Sequence, residues 1–442
     1  MAEIPEKRKR TGRRGSIADV VRESAAPEGS RLVLFMLWMM VFTAASQIMI
    51  IAPIIPRISE ELGVESSALG LLMTVYALAV GIVALITGPV SDRFGRRRIL
   101  LVGTGMMAVA LALHGIADSY GMLLAVRAVA GAAGGILSGG AVSYVGDFFP
   151  VERRGWASGG VMSGLAAGQI MGIPLGTMLA EWFGFRAPFL AFAVVGVFTF
   201  LLILFRLPQP RVELTPSLSI GSALQGYAEL LRRREVKAAG AAFILMFMGI
   251  SLFVTFFPTW LESTLHFTPA MISVLYLVGG TANVLVGPRA GRLSDRIGRT
   301  RVIILASIGV AVVMPIVTLV PQSGAWAIYP LFFITMGLVA ARMSPMQALM
   351  TQLTGGKQRG TLMSLVTSIG QIGFAIGSGL AALAIQAFGF TGDALLAATS
   401  VIGMAFVVWR FLRVVDNRGT ATERHGHPGD PGSPSLAVRQ GN

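Results

Sequence analysis

The sequence predicts an all-α polytopic membrane protein, with twelve transmembrane helices in two parallel six-helix bundles. Three observations predict it. Only 13% of the 442 residues are charged, the mean hydropathy is +0.71, and apolar residues gather in runs near 20 long. A helix needs about 20 apolar residues to cross a hydrocarbon core about 30 Å thick, and a soluble core helix rarely sustains such a run. A charged turn between two of these runs, GPVSDRFGRRR from Gly88 to Arg98, returns as GRLSDRIGRTR from Gly291 to Arg301. Asp295 and Gly298 follow Asp92 and Gly95 by 203 residues each. The basic residues, finally, are concentrated in alternate loops.

Taken in order, the apolar runs cover 32–56, 68–90, 99–117, 121–146, 156–180, 187–206, 238–260, 270–290, 302–321, 326–350, 361–386 and 390–412. They read as helices, because a lipid-facing backbone must satisfy its own hydrogen bonds. The short alternating strands of a β-barrel are not visible. Residues 1–31 form a basic tail and 32–206 the first bundle. A central loop, 207–237, precedes the second bundle, 238–413, and a second tail, 414–442. Within the loop, Ile220, Leu224, Tyr227 and Leu231 recur at helical spacing, predicting a short amphipathic helix on the inner membrane surface. Both tails read as disordered. Ser16, in RRGS, has the look of a basic kinase site, and His425 and His427 read as a flexible-tail coincidence rather than a metal site.

The net charge of +14, from 36 basic and 22 acidic residues, would raise nucleic-acid binding for a soluble chain. Its distribution argues against that. With a cytoplasmic N-terminus, 32 of the 36 Lys and Arg fall in inside segments, Arg57 and Arg186 fall outside, and Arg127 and Arg342 fall within spans. This positive-inside bias puts both termini in the cytoplasm. The first apolar run is too long for a signal-peptide core and reads as an uncleaved span. Without cysteine there is neither disulfide nor thiolate metal site, and His114 and His266 lack partners at metal spacing. No Walker sequence is present. The chain is therefore expected to be neither an enzyme nor a pump, with no catalytic residue, metal or cofactor.

The duplication extends beyond the charged turn. ERRG, ending at Gly155, aligns with KQRG, ending at Gly360, at an offset of 205, and Gly168 and Gly172 meet Gly373 and Gly377 at the same offset. Equal halves of six spans keep the same orientation, as in transporters built from parallel repeats. The fifth span carries Gly160, Gly164, Gly168, Gly172 and Gly176, a four-residue comb that lets a neighbouring helix approach closely. Pro174 interrupts it. A phosphate-binding loop is excluded, because no strand precedes the comb and no Gly-Lys-Ser/Thr follows.

These motifs together resemble the major facilitator superfamily. GPVSDRFGRRR is similar to the family's loop 2–3 signature, and GRLSDRIGRTR to its partner in loop 8–9. LLAVRAVAG, Leu123 to Gly131, resembles the span-four motif, with its arginine at Arg127 and Ala130 where glutamine is usual. DFFPVERRG resembles the loop 4–5 signature, with Asp147, Arg153 and Arg154. GQIMGIPLG resembles the span-five motif of the twelve-helix drug-exporting, drug/proton antiporter-like branch, except that Ile173 intervenes before Pro174. The likeness covers all twelve spans and is specific for fold rather than substrate.

The resemblance implies a gate. Gly88, Asp92, Arg93, Gly95 and Arg96 in the first knot, with Asp295, Arg296 and Gly298 in the second, would tie the halves together when the cytoplasmic side shuts. Asp92 would face the start of the eleventh span near Gly360 and Thr361, where free N–H groups favour an anion. Asp295 would face Gly155 and Trp156, and Asp147 would pair with an arginine of the first knot, beside Arg153. In the spans, ionisable groups are functional candidates by default, which singles out Arg127 and Arg342. Gln47, Gln169, Asn283 and Gln371 would add polar groups to the cavity, and Tyr76, Phe253, Phe257 and Tyr276 its aromatic walls. Each of these is also a plausible helix-packing residue. No Asp or Glu sits in the middle of a span, a departure from proton-coupled relatives; Glu262 and Asp147 are the nearest substitutes, and His114 is a candidate titrator that reads more readily as a packed or interfacial histidine.

The expected function is secondary active transport of a small lipophilic or weakly anionic solute by alternating access, with efflux favoured. The alternatives are uptake of an organic anion or metabolite by a symporter or facilitator, and a non-transporting receptor or scaffold. The expected partners are that solute, protons as coupling ion and the lipid bilayer, with no nucleic acid. The expected setting is a monomer in a bacterial inner membrane.

Overall fold

The computed structural model describes residues 29–210, 220–353 and 359–413, so both tails, with Ser16, His425 and His427, lie outside the described residues. The described chain is helical, and eleven stretches are long and apolar enough to cross a membrane. The last, Thr361–Leu412, has 52 residues. At 1.5 Å per residue that is more than twice the thickness of a bilayer core, so it crosses twice. Gly389 makes the turn, with φ 66° and ψ −175°, a conformation open to glycine and strained for other residues. Twelve crossings follow. The fold is two parallel six-helix bundles.

Local chemistry sets the helix ends. Ser119 and Thr268 cap the fourth and eighth spans, their hydroxyls accepting from the N–H groups of Met122 and Met271 at 3.3 Å. The two charged turns have matching backbones. Gly95 has φ 92° and Gly298 φ 100°, and each N–H donates at 3.0 Å to the serine carbonyl four residues earlier. Asp92 pairs with Arg96 at 2.7 Å, and Asp295 with Arg299 at 3.5 Å. The repeat in sequence is thus a repeat in geometry.

Packing inside each half repeats as well. The first span, Ser30–Met49, lies against the fifth, Val151–Phe183, as the seventh, Arg234–Leu265, lies against the eleventh. A Cβ on Gly168 would sit 2.7 Å from the Phe42 carbonyl oxygen, and one on Gly373 2.5 Å from that of Ile244. Gly164 and Gly377 meet the carbonyls of Trp38 and Met248 in the same way, while Gly172 and Gly176 meet the side chains of Ser46 and Ile50. Small residues bring these backbones together where no solvent drives association. Gly160 departs from the expected comb. Nothing lies within 4 Å of its would-be side chain, because the helices diverge at this end.

Large apolar residues along the spans, such as Leu305 (64% exposed), Val194 (70%) and Leu383 (63%), face outward, where hydrocarbon covers them. Trp182, Trp326, Trp156 and Trp409 stand exposed towards the span ends, where an interfacial indole is expected. The linker helix, Ile220–Arg232, forms as predicted, but its buried face differs from the predicted one. Tyr227 and Leu230 are buried against the bundles, and the Tyr227 hydroxyl donates to the Leu85 carbonyl at 2.9 Å. Leu224 and Leu231 remain exposed. The apolar arc is wide enough for one flank to meet protein while the other is left for lipid.

Candidate functional site

The two halves meet along two seams, the second span against the eleventh and the fifth against the eighth. The first seam is long. From the end opposite the knots it runs through Gln386 to Glu65 (3.2 Å) and Ser67 (2.8 Å), then Thr74 to Ser378 (2.8 Å). It then passes Gly81, where Ser368 and Gln371 close in, and ends at the Ser364 hydroxyl on the Ala84 carbonyl (3.2 Å). The second seam is short. Ser273 reaches the Pro174 carbonyl at 3.5 Å, Gly280 packs on Ile170, and below that the helices part.

At the end opposite the knots the closure is ionic and aromatic. Arg57 of the first half holds Glu181 at 2.7 Å and reaches across to Glu262 of the second at 3.2 Å, with Glu60 at 3.5 Å. Burial works against the charge of Arg57, but the hydrogen bond to Glu181 and the charges of Glu262, Glu181 and Glu60 outweigh it and raise its pKa above the ordinary value. Beneath lies a stack of Phe253, Phe257, Trp260, Phe332 and Phe390, with centroids 4.9 to 6.1 Å apart. Phe253 and Phe257 are therefore buried in a plug, and Tyr276 packs edge-on against Phe332 with its hydroxyl unpartnered. The pair Arg57–Glu262 is part-exposed, so its contribution is modest, about 1 kcal/mol. Glu262→Gln should raise the population open at this end about fivefold, read as faster labelling of a cysteine placed at Gln386. Unchanged labelling would remove the pair from the closure.

At the knot end the halves are apart. Arg96 bridges Asp92 (2.7 Å) and Asp147 (2.6 Å), all within the first half, as the expected Asp147 pairing requires. Asp295 takes Arg299 rather than Arg296, which is exposed, and Arg93 and Arg153 are exposed too. The expected reach of both aspartates across the interface is not among the contacts of the described residues, which leave out 354–358 beside the start of the eleventh span. Among the described residues neither Asp92 nor Asp295 has an ion pair or hydrogen bond to the opposite half. Would-be side chains on Gly88, Gly155 and Gly287 meet nothing within 4 Å, and Trp156 is 60% exposed. The reason is the splay: the first seam stops at Ala84, two turns short of Asp92. Arg299 could have been found from sequence, since it stands 203 residues after Arg96.

Between these ends lie the buried polar groups. Arg127 is fully buried; one Nη donates to the Gln47 carbonyl at 3.2 Å, and its guanidinium carbon stands 4.3 Å from the Tyr76 ring centroid. Its Nε and other Nη have no partner, nor does the Gln47 side-chain amide. Three helices thus converge on a cation with spare donors. Arg342 is placed differently from the expected cavity wall. Its Nη1 lies 3.9 Å from the Met404 sulfur, which the Ser307 hydroxyl also approaches at 3.8 Å, so it points into the second bundle between the ninth, tenth and twelfth spans. His114 stacks on Phe189 at 4.1 Å and contacts the Ala110 carbonyl through Nδ1 at 2.7 Å, a packed histidine. Gln371 lies against Gly81 in the first seam. The Gln169 side chain lies outside the described residues.

One group exceeds what the sequence signalled. Asp393 falls at an outer span end by hydropathy, yet it is fully buried with both carboxylate oxygens unpartnered. The turn at Gly389 tucks it inward. Where the second seam parts, a cavity of about 260 Å³ opens, lined by Ala166, Ile170, Gly280, Asn283, Val284 and Pro288. Of the predicted cavity residues, Asn283 alone is among them.

Residues 37–344 match the Major Facilitator Superfamily. The chain is 25% identical over 412 residues to the "Multidrug resistance protein MdtG" of Dickeya zeae, covering 91% of this chain and 99% of that one. It is 28% identical over 403 residues to the protein of the same name from Salmonella typhi, covering 85% and 94%. Among solved structures, the human organic anion transporter MFSD10 superposes with a TM-score of 0.68 at 16% identity, over 86% of this chain and 100% of that one. A D-xylose-proton symporter superposes with a TM-score of 0.70 at 14% identity, over 86% and 97%.

Proposed function

The chain belongs to the major facilitator superfamily and is a multi-pass membrane transporter, not an enzyme; from that premise we propose that it exports a small lipophilic or weakly anionic solute by alternating access. We place the charged knots, with both termini, in the cytoplasm of a bacterial inner membrane, on the strength of the one-sided distribution of Lys and Arg. The conformation is then open to the cytoplasm and shut outside, the state in which an exporter loads. The observation that carries this reading is the mid-depth cavity at the parted seam, walled by apolar groups with one amide, Asn283. Such a wall suits a lipophilic solute better than a sugar, whose hydroxyls would lose water without replacement. The relatives named for multidrug resistance support the same direction.

A second reading is uptake of an organic anion, favoured by the spare donors of Arg127. Purified full-length protein in liposomes, loaded with ethidium or with carboxyfluorescein under an imposed proton gradient, separates the two. Export predicts proton-linked movement of the lipophilic dye and sensitivity of a deletion strain to such compounds. Movement of the carboxylated dye alone, with loss of growth on one nutrient, would establish uptake instead. No movement of either, with no phenotype on deletion, would favour a receptor.

The knots are proposed to latch the cytoplasmic side in the opposite state, as the family resemblance implies. Asp92→Asn should shift the balance towards the form open at the knot end about fivefold, the ~1 kcal/mol of an anion at a helix start, and slow transport accordingly. Unaltered transport and an unaltered balance, read by cysteine accessibility at Gly160, would exclude the latch.

A further inference from the structure

The linker helix, Ile220–Arg232, is held at the knot end by both halves. Pro89, inside the second span, has no N–H, so the Leu85 carbonyl four residues earlier lacks its helical donor. The Tyr227 hydroxyl supplies one at 2.9 Å. On the same side of the linker helix, Leu230 is buried in a cluster of the second half with Val236, Leu362, Val408 and Leu412, and Leu85 packs against that cluster too. A Cβ on Gly226 would stand 3.9 Å from the Thr361 methyl, at the start of the eleventh span, where Asp92 is expected to dock. The helix thus occupies ground beside the receiving end of the latch.

Its adjoining flank is uncovered. Leu224 (57% exposed) and Leu231 (38%) share one stripe with the exposed Ala228. Arg232, four residues after Ala228, borders that stripe, while Gln225 and Glu229 take the face turned away from Tyr227. Arg234 and Lys237 follow, and the end of the twelfth span adds Arg410 and Arg413, all of them exposed. The carboxylates nearby in sequence are Glu229 and Glu235, yet among the described residues none of these five cations is in an ion pair. The shared cluster also fixes the height of the helix. Val408 and Leu412, which pack with Leu230, bracket Trp409 (51% exposed), an indole of the kind found where hydrocarbon gives way to headgroups. An apolar stripe bordered by basic side chains at that height matches a leaflet of anionic lipid. The stripe would enter among acyl chains and the cations would meet phosphates.

We propose that this flank of the linker helix is a docking surface for the headgroups of anionic phospholipid in the knot-end leaflet. Docking holds the helix seated on Leu85 and beside Thr361, and so favours the form open at the knot end. Zwitterionic lipid offers the stripe the same acyl chains but no net charge to the arginines, so the effect follows headgroup charge. Each basic residue near an anionic surface is worth about a fivefold change in an equilibrium. Export and uptake are affected alike, because the balance of conformations shifts whatever the cargo.

The chain has no cysteine, so Leu224→Cys and Leu383→Cys each give one thiol for a bimane label in full-length protein in phosphatidylcholine nanodiscs. Leu383, exposed on the eleventh span and far from any basic residue in sequence, is the lipid-facing reference. The quenchers are phosphatidylglycerol and phosphatidylcholine brominated on their acyl chains, added separately, and iodide in water. At residue 224 the phosphatidylglycerol is expected to quench at about one-fifth of the mole fraction that phosphatidylcholine needs, with no such preference at 383. Raising the salt to ~1 M, or combining Arg232→Gln with Arg234→Gln, should erase the preference. Equal quenching by the two lipids at 224 would overturn the anionic site. Quenching by iodide and by neither lipid would overturn membrane docking altogether and leave the flank to a soluble partner. The second readout is labelling of Gly160→Cys at the knot end. It should run about fivefold faster in an equal mixture of phosphatidylcholine and phosphatidylglycerol than in phosphatidylcholine alone. Tyr227→Phe should remove that acceleration and keep the preference at 224. Labelling indifferent to phosphatidylglycerol, or an acceleration that survives Tyr227→Phe, would overturn the link between docking and conformation.

Discussion

Arg127→Met is expected to lower transport about 100-fold while leaving the folded protein as stable as before or more so. A buried guanidinium without a counter-ion is expensive in a membrane, and here two of its nitrogens have no partner. Replacing such a charge with an apolar side chain of similar volume is often neutral or stabilising. Retention of the arginine is then explained by what it binds during the cycle rather than by what it holds together at rest. Loss of a charged hydrogen bond in the transport transition state, up to about 3 kcal/mol, corresponds to roughly 100-fold in rate. Arg127→Lys keeps the charge but loses the planar contact with Tyr76 and the geometry of the Gln47 bond, so intermediate transport is expected. Substrate flux in liposomes and thermal unfolding in detergent are the two measurements. Normal flux with lowered stability would make Arg127 a structural residue.

Gly168→Leu and Gly373→Leu should each destabilise the protein by about 3 kcal/mol, whereas Gly160→Leu should leave its stability unchanged or slightly raise it. At Gly168 and Gly373 the obstacle is backbone: the carbonyl oxygens of Phe42 and Ile244, 2.7 and 2.5 Å from a would-be Cβ. No rotamer change in the neighbour relieves that, so two helices must move apart and lose their contact along several turns. At Gly160 the space is open, and leucine is the better helix former. All three glycines belong to one fold-wide pattern, yet two should behave as core and one as surface. Unfolding curves for the purified variants check this, and equal destabilisation at Gly160 would contradict the open end.

The glycine pair also shows how legible the fold was. The four-residue spacing and the 205-residue offset are visible in sequence, because close helix contact demands small residues and duplication preserves them. The paired turns at Gly95 and Gly298 were readable for a similar reason: a positive φ between two apolar runs selects glycine, and the arginines must stay out of the hydrocarbon. The site was less legible. Arg127 and Asn283 emerged as polar residues in an apolar context, but nothing in their spacing distinguishes a cavity wall from a bundle interior. Arg342 carries the same signal and points to Met404 instead. Phe253 and Phe257 look like cavity aromatics and serve as a plug, and Asp393 looks terminal and is buried.

Hydropathy, glycine spacing and the two charged knots by themselves determined twelve crossings, two parallel halves and the separation of a basic end from the other. Those properties follow from the bilayer, which imposes length and polarity on every span independently of its neighbours. The tertiary structure alone decided which end is shut, where the seams part, and which buried charge faces which helix. Those depend on rotations of each helix about its own axis and on contacts between residues hundreds of positions apart, such as Glu65 with Gln386 and Arg57 with Glu262. A span that satisfies the membrane at any rotation leaves that choice to packing.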